Sequence, residues 1–306
     1  MNFSTKDELR TVSVEGCELL GVGKNASVYR LDDETIIKVN DKRDTSLEGV
    51  KREHDNAHNA FAHGIPTAIS YDIVKVGDYY GAVYELVNAR TVWECIKEDY
   101  SLLPLYAQRT AELLRKLHGT EMPEGLFPRR RDAFLKRIDA LSELITADEQ
   151  SLLRDMLDAL PERNTYIHGD YHHKNIMLYK GELLLIDMAN SSVGHPIYDL
   201  MNVYMAGMMN AQREPGFNKR TGLTPDMVKE EWKSFSRAYL DTDDEERLRS
   251  FEKAVSFYSD FRWLTFIQRL PHDNPMREEG VARARREFFP MIHETIEAIG
   301  KELDSL

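Results

Sequence analysis

Over its first 88 positions the chain sets apolar residues in short alternating runs; beyond them apolar residues return every three or four positions. Runs at 17–21, 27–31 and 35–39 read as strands, because a strand turns successive side chains to opposite faces. Turn chemistry at Gly21-Val22-Gly23-Lys24-Asn25 and at Asp32-Asp33 separates them. Residues 46–62 interleave charges with Leu47, Val50, Ala57 and Phe61, which predicts an amphipathic helix stopped by Gly64-Ile65-Pro66. Two more strands fall at 68–76 and 80–86, around a turn at Gly77-Asp78. Helical spacing then runs through 102–117, 134–145 and 152–160. A short apolar strand is expected at 182–186, a loop at 213–225, and helices beyond Asp199 to the C-terminus. The fold class is therefore α+β: a small antiparallel β lobe with one helix over 1–88, and a large, mostly helical lobe over 89–306. A hinge near 85–89 joins them, and a ligand cleft is expected between two such lobes.

Composition narrows the partners. The chain has 306 residues, 42% of them hydrophobic, which is ample for one large domain or two lobes. A formal net charge of -12 argues against nucleic acid as the main partner, since backbone phosphates draw on clustered Lys and Arg. The acidic balance suits a cationic substrate, and equally an ordinary solvated surface. Cys17 and Cys95 make no disulfide framework, so a reducing cytoplasm is the expected compartment. The opening MNFSTKDELR lacks the apolar core of a signal peptide, and no run approaches the ~18 apolar residues of a membrane helix. No membrane partner is expected.

The chemistry concentrates in His168-Gly169-Asp170-Tyr171-His172-His173-Lys174-Asn175 and the apolar run ending in Asp187. Asp170 and Asn175 lie five apart, and Asp187 follows twelve later. This matches the phosphoryl-transfer template in which one Asp accepts the proton of the acceptor hydroxyl while an Asn and a second Asp hold Mg2+. Asp170 is the candidate base; Asn175 and Asp187 are the candidate metal ligands. Upstream, residues 21–28 nearly match G-x-G-x-x-G-x-V, with Gly21 and Gly23 in place and Ala26 at the third glycine. Lys38 stands in Ile36-Ile37-Lys38-Val39, an apolar strand that normally receives a cation poorly, and Glu53 in the next helix is its natural partner. Glu85 and Val87 would offer backbone groups to an adenine ring. ATP and Mg2+ are the implied cofactors, with a small-molecule hydroxyl compound as acceptor. His168, Asp170 and His172 would share a face of an extended segment, so a metal-dependent hydrolase stays open as an alternative. An ATP-binding pseudokinase is another.

Together these residues resemble the aminoglycoside phosphotransferase and choline kinase superfamily of small-molecule kinases, over roughly residues 19–200. The resemblance is most specific in His168-Gly169-Asp170 with Asn175, in Ile186-Asp187, and in Gly194-His195-Pro196-Ile197-Tyr198-Asp199-Leu200. It implies a protein-kinase-like fold, Asp170 as base, Mg2+ on Asn175 and Asp187, and Lys38 with Glu53 ordering the ATP phosphates. It also implies that Asp199 braces the catalytic loop; a helix N-cap is the other reading of that residue. Gly169 replaces the Arg of H-R-D, and only eleven residues separate Asp187 from Asp199, which leaves little room for a peptide-docking segment. Met188 stands where related enzymes often carry an aromatic residue.

Overall fold

The computed structural model describes residues 9–23, 25–42 and 46–306. Lys24, inside the glycine-rich turn, and most of the polar N-terminal stretch lie outside the described residues. The chain divides into two compact units, residues 1–91 with 175–190, and residues 92–174 with 191–306.

The first unit starts with β1 (Leu19–Val22), β2 (Ser27–Arg30) and β3 (Thr35–Val39), then α1 (Leu47–Ala62), β4 (Ser70–Val76) and β5 (Tyr79–Glu85). The five strands pair antiparallel in the order β1-β2-β3-β5-β4. Alternation decides the faces: Ile37 and Val39 of β3, Val74 and Val76 of β4, and Val83 of β5 share one buried cluster. Lys38, between two members of that cluster, is thereby turned to the opposite face. Gly81 sits opposite Val39, and a Cβ there would lie 2.9 Å from the Lys38 carbonyl oxygen. The helix α1 begins where the Ser46 side chain accepts the Gly49 N–H, and ends before Gly64 at φ +81°. A two-residue strand, β6 (Arg90–Thr91), follows.

The second unit continues with α2 (Val92–Glu98), α3 (Leu103–His118), α4 (Arg130–Ala140), α5 (Ala147–Asp158) and β7 (Tyr166–Ile167). Here α4 and α5 begin earlier than the apolar spacing suggested. The reason is that their first turns are charged, and α5 is started by a capping box in which Thr146 and Glu149 satisfy each other's backbone N–H. The chain then returns to the first unit as β8 (Ile176–Tyr179) and β9 (Glu182–Leu185), around the two-residue turn Lys180-Gly181 with both φ positive. Pairing of β8 with β6, a Leu185 N–H donated to the Pro66 carbonyl, and Asn56 Nδ2 donated to the Met188 carbonyl tie this hairpin into the first unit. The second unit resumes with β10 (Ser192–Val193), paired to β7, and α6 (Ile197–Tyr204), which widens into a π-helical segment at Met205–Met209. There follow α7 (Asn210–Arg213), α8 (Phe217–Thr221), α9 (Pro225–Leu240), α10 (Glu245–Ile267), α11 (Pro275–Arg283) and α12 (Ile292–Ser305). The loop expected at 213–225 thus contains a short helix, closed on both sides by Gly216 and Gly222 in the left-handed region. Aromatic packing builds this core: Phe134 lies 5.0 Å from the Tyr198 ring and 5.4 Å from the Phe261 ring. The fold class is α+β, as expected. No helix among the described residues is long and apolar enough to cross a membrane.

Candidate active site

In the first unit three charged side chains from distant parts of the chain meet. Lys38 Nζ lies 2.6 Å from Glu53 Oε1 of α1 and 3.3 Å from Asp187 Oδ1. Burial alone would lower the Lys38 ammonium pKa, but the two carboxylates outweigh it and hold the group above its ordinary value. Lys38 is therefore a fixed cation. Asp187 adopts φ +63°, a left-handed conformation that few non-glycine residues hold and that Asn and Asp visit more readily than most. Local hairpin geometry explains where its neighbours go. Ile176 pairs with Leu185, and the next step brings the Ile186 N–H to the Asn175 carbonyl at 3.0 Å, so Asn175 and Asp187 emerge at one end of the hairpin. Gly21 and Gly23 stand at the β1–β2 turn, where Gly23 N–H donates to the Ala26 carbonyl and Lys42 Nζ to the Gly23 carbonyl. Among the described residues no atom lies within 4 Å of a Cβ built on Gly21, and neither glycine has a positive φ. A glycine there leaves room for the close approach of a bound group. Glu85 donates its N–H to Ile69, and the Val87 carbonyl accepts from Ala89.

In the second unit Asp199 organises the segment that carries Asp170. Its carboxylate accepts the N–H of His168 at 2.8 Å and of Gly169 at 2.7 Å, with His118 Nε2 at 3.4 Å. Burial pushes this carboxyl up, but the hydrogen bond and charge of His118, with His168 and Arg130, outweigh it and hold it below its ordinary range. The N-cap of α6 is Pro196, so Asp199 braces the loop rather than capping the helix. His168 is fully buried, edge-on to Tyr171, and its Nδ1 accepts the Asp170 N–H at 3.3 Å. His172 Nε2 lies 3.8 Å from Asp170 Oδ2. Among the described residues no three His, Cys, Asp or Glu side chains form a metal-sized group, so His168, Asp170 and His172 do not make the hydrolase site left open above.

A cavity of about 250 Å³ is lined by Trp93, Tyr171, His172, His173, Phe217, Glu231 and Trp232. The π-helical segment contributes Ala206, Gly207 and Met208 to its wall. Burial pushes the Glu231 carboxyl up to about 7 and the His173 imidazole down to about 4, although the two side chains lie 3.5 Å apart. Residues 258–263 of α10 do not line it. Tyr258 and Phe261 are packed in the core and Asp260 pairs with Arg213 at 2.7 Å, whereas Arg262 donates Nε to Asn202 Oδ1 at 2.8 Å. Sequence reasoning missed Arg130, whose Nη2 donates to the Gly169 carbonyl at 2.7 Å. Its only signal was the basic run Arg129-Arg130-Arg131, which nothing local ties to Gly169.

The model of the phosphotransferase enzyme family matches residues 16–249. The chain belongs to that family. A choline/ethanolamine kinase family protein from Mesorhizobium loti superposes on this phosphotransferase with a TM-score of 0.58 at 18% identity, covering 93% of this chain and 92% of that one. The GDP complex of aminoglycoside 2'-phosphotransferase-IIIa gives a TM-score of 0.52 at 14% identity, covering 97% of this chain and 94% of that one. An aminoglycoside phosphotransferase APH(3'')-Id from Streptomyces rimosus, with ADP and streptomycin, gives 0.52 at 17% identity over 76% of this chain and 89% of that one. At such identities the likeness concerns the fold, which is that of the aminoglycoside phosphotransferase and choline kinase superfamily. Comparison with curated proteins gives no match.

Proposed function

We propose that this phosphotransferase is an ATP-dependent small-molecule kinase that transfers the γ-phosphate to a hydroxyl of its acceptor. The observation that carries this reading is the meeting of Lys38 with Glu53 and Asp187, at 2.6 and 3.3 Å, from three segments far apart in sequence. A fixed cation held by a helix carboxylate serves to pair with nucleotide phosphates, and the open space beside Gly21 suits their close approach. The donor set fits Mg2+: one carboxylate and one amide oxygen at the end of the β8–β9 hairpin leave room for waters and phosphate oxygens, as that ion prefers. When bound, Mg2+ neutralises charge on the transferred group. Asn175 and Asp187 hold it, Glu85 and Val87 present backbone to the base, and Asp170 takes the proton of the acceptor hydroxyl. The bracing of the His168 and Gly169 backbone by Asp199 fixes the main chain that carries that base.

ADP release with Mg2+, measured across aminoglycosides, amino-alcohols, sugars and hydroxy acids with ATP or GTP as donor, tests the reading. Asp170→Ala should lower turnover ~10²–10⁴-fold, the usual worth of a general base, while MgATP still raises the melting temperature. Unchanged turnover would reject Asp170 as base. A thermal shift with no product from any acceptor would favour the pseudokinase.

A further inference from the structure

Arg130, Arg137 and Arg262 of the second unit lie within electrostatic reach of Asp170, and Arg269 lies within reach of all three. Arg130, at the start of α4, donates Nη2 to the carbonyl of Gly169, the residue before Asp170, at 2.7 Å. Asn202 of α6 donates to the same carbonyl at 3.3 Å and accepts from Arg262 Nε of α10 at 2.8 Å. Arg137, two turns along α4 from Arg130, lies over the Phe134 ring at 4.6 Å, and the Arg130 guanidinium lies 5.6 Å from the same ring. Arg269, just past the end of α10, is exposed and repels all three of the others. Asp170 attracts Arg130, Arg137 and Arg262, while Asp199, whose oxygens already take two backbone N–H groups and His118, also acts on Arg130. Among the described residues the buried Arg137 Nη1 atom has no hydrogen-bond partner.

Half-burying like charges together is unfavourable, and burial followed by the three neighbouring guanidiniums pushes the Arg137 pKa down. A buried donor with no acceptor adds a further cost. Both costs vanish if an oxyanion seats there, since guanidinium forks match carboxylate and phosphate oxygens two at a time. We propose that the acceptor is an anionic alcohol whose phosphate or carboxylate group is held by Arg137, Arg262 and Arg269 while its hydroxyl meets Asp170. This rests on the kinase reading and deepens it: polycationic aminoglycosides and quaternary amines are the wrong charge for this enzyme. Arg130, committed to the Gly169 carbonyl, positions the loop.

The test pairs two measurements. ADP release is followed with glucose 6-phosphate and glycerate against glucose, choline and kanamycin. Melting temperature is followed with inorganic phosphate alone and with MgATP alone, in the wild type and in Arg137→Gln/Arg262→Gln. The anionic acceptors should be the ones used, with KM raised ~10-fold or more in the double variant, about one lost charge-assisted contact. The phosphate-induced shift should vanish in that variant while the MgATP shift persists, which also shows that it is folded. Turnover of choline or kanamycin in preference to the anionic alcohols overturns the proposal, as does a phosphate shift that survives in the double variant. If MgATP fails to shift the wild-type protein, the kinase reading itself falls.

Discussion

Asp199 holds the backbone just ahead of Asp170. It is fully buried, and it satisfies the N–H groups of His168 and Gly169 together with His118. Asp199→Ala should leave two buried donors without an acceptor, at ~1–3 kcal/mol each, so a loss of about 3 kcal/mol is expected in urea denaturation. A loss under 1 kcal/mol would mean that the loop is held by something else, such as Arg130 and Asn202 on the Gly169 carbonyl. At this scale the sequence was legible where a residue stands against its surroundings. Lys38 between Ile37 and Val39 is such a case, because a cation in an apolar strand implies a partner across the sheet face. Arg137 and Arg262 gave no such signal, since charged residues on helices are ordinarily solvated.

Among elements, the β3–β5 pair is the one whose spacing sets the position of Lys38. A Cβ at Gly81 would lie 2.9 Å from the Lys38 carbonyl oxygen and 3.1 Å from the Ile37 side chain, so the strands must part to admit it. Gly81→Ala is expected to cost ~1–3 kcal/mol through overpacking and to weaken MgATP binding by displacing Lys38. Gly77→Ala, at a turn with φ +58° and open space around it, should cost ~1 kcal/mol of backbone strain and leave MgATP binding unchanged. Equal MgATP affinities in the two variants would contradict this. The strands themselves were readable from alternation, including β3 at its observed bounds. The strand β8 was not, because Ile176–Tyr179 acquires its identity only by pairing with β6 and β9. The starts of α4 and α5 were also hidden, since their first turns are charged and carry no apolar periodicity.

For the molecule as a whole, the half-buried Glu231–His173 pair in the cavity sets a pH dependence with two opposing arms. Glu231 is raised from 4.5 to about 7, so its contribution to stability is present below pH 4.5 and lost as pH rises toward 7. His173 is lowered from 6.5 to about 4, so its contribution is present above pH 6.5 and lost as pH falls toward 4. Between pH 4.5 and 6.5 the two slopes cancel. Glu231→Gln removes one arm, so the stability of the variant relative to wild type should grow by ~1 kcal/mol from pH 5 to 6, somewhat under the full value per unit because the pair borders a cavity. Urea denaturation at both pH values measures it, and a constant difference would refute the opposed shifts.

Local order in the chain determined the α+β class and the family, and it put forward Lys38, Glu53, Asp170, Asn175 and Asp187 as site candidates, because strand alternation, helix spacing and short motif offsets are written between near neighbours. Only the tertiary structure decided that residues 175–190 join the first unit, that Asp199 clamps two backbone amides, and that Arg130, Arg137 and Arg262 come within electrostatic reach of Asp170. Each of those depends on long-range packing of helices and hairpins that are locally self-consistent wherever they dock, so no local pattern records the destination.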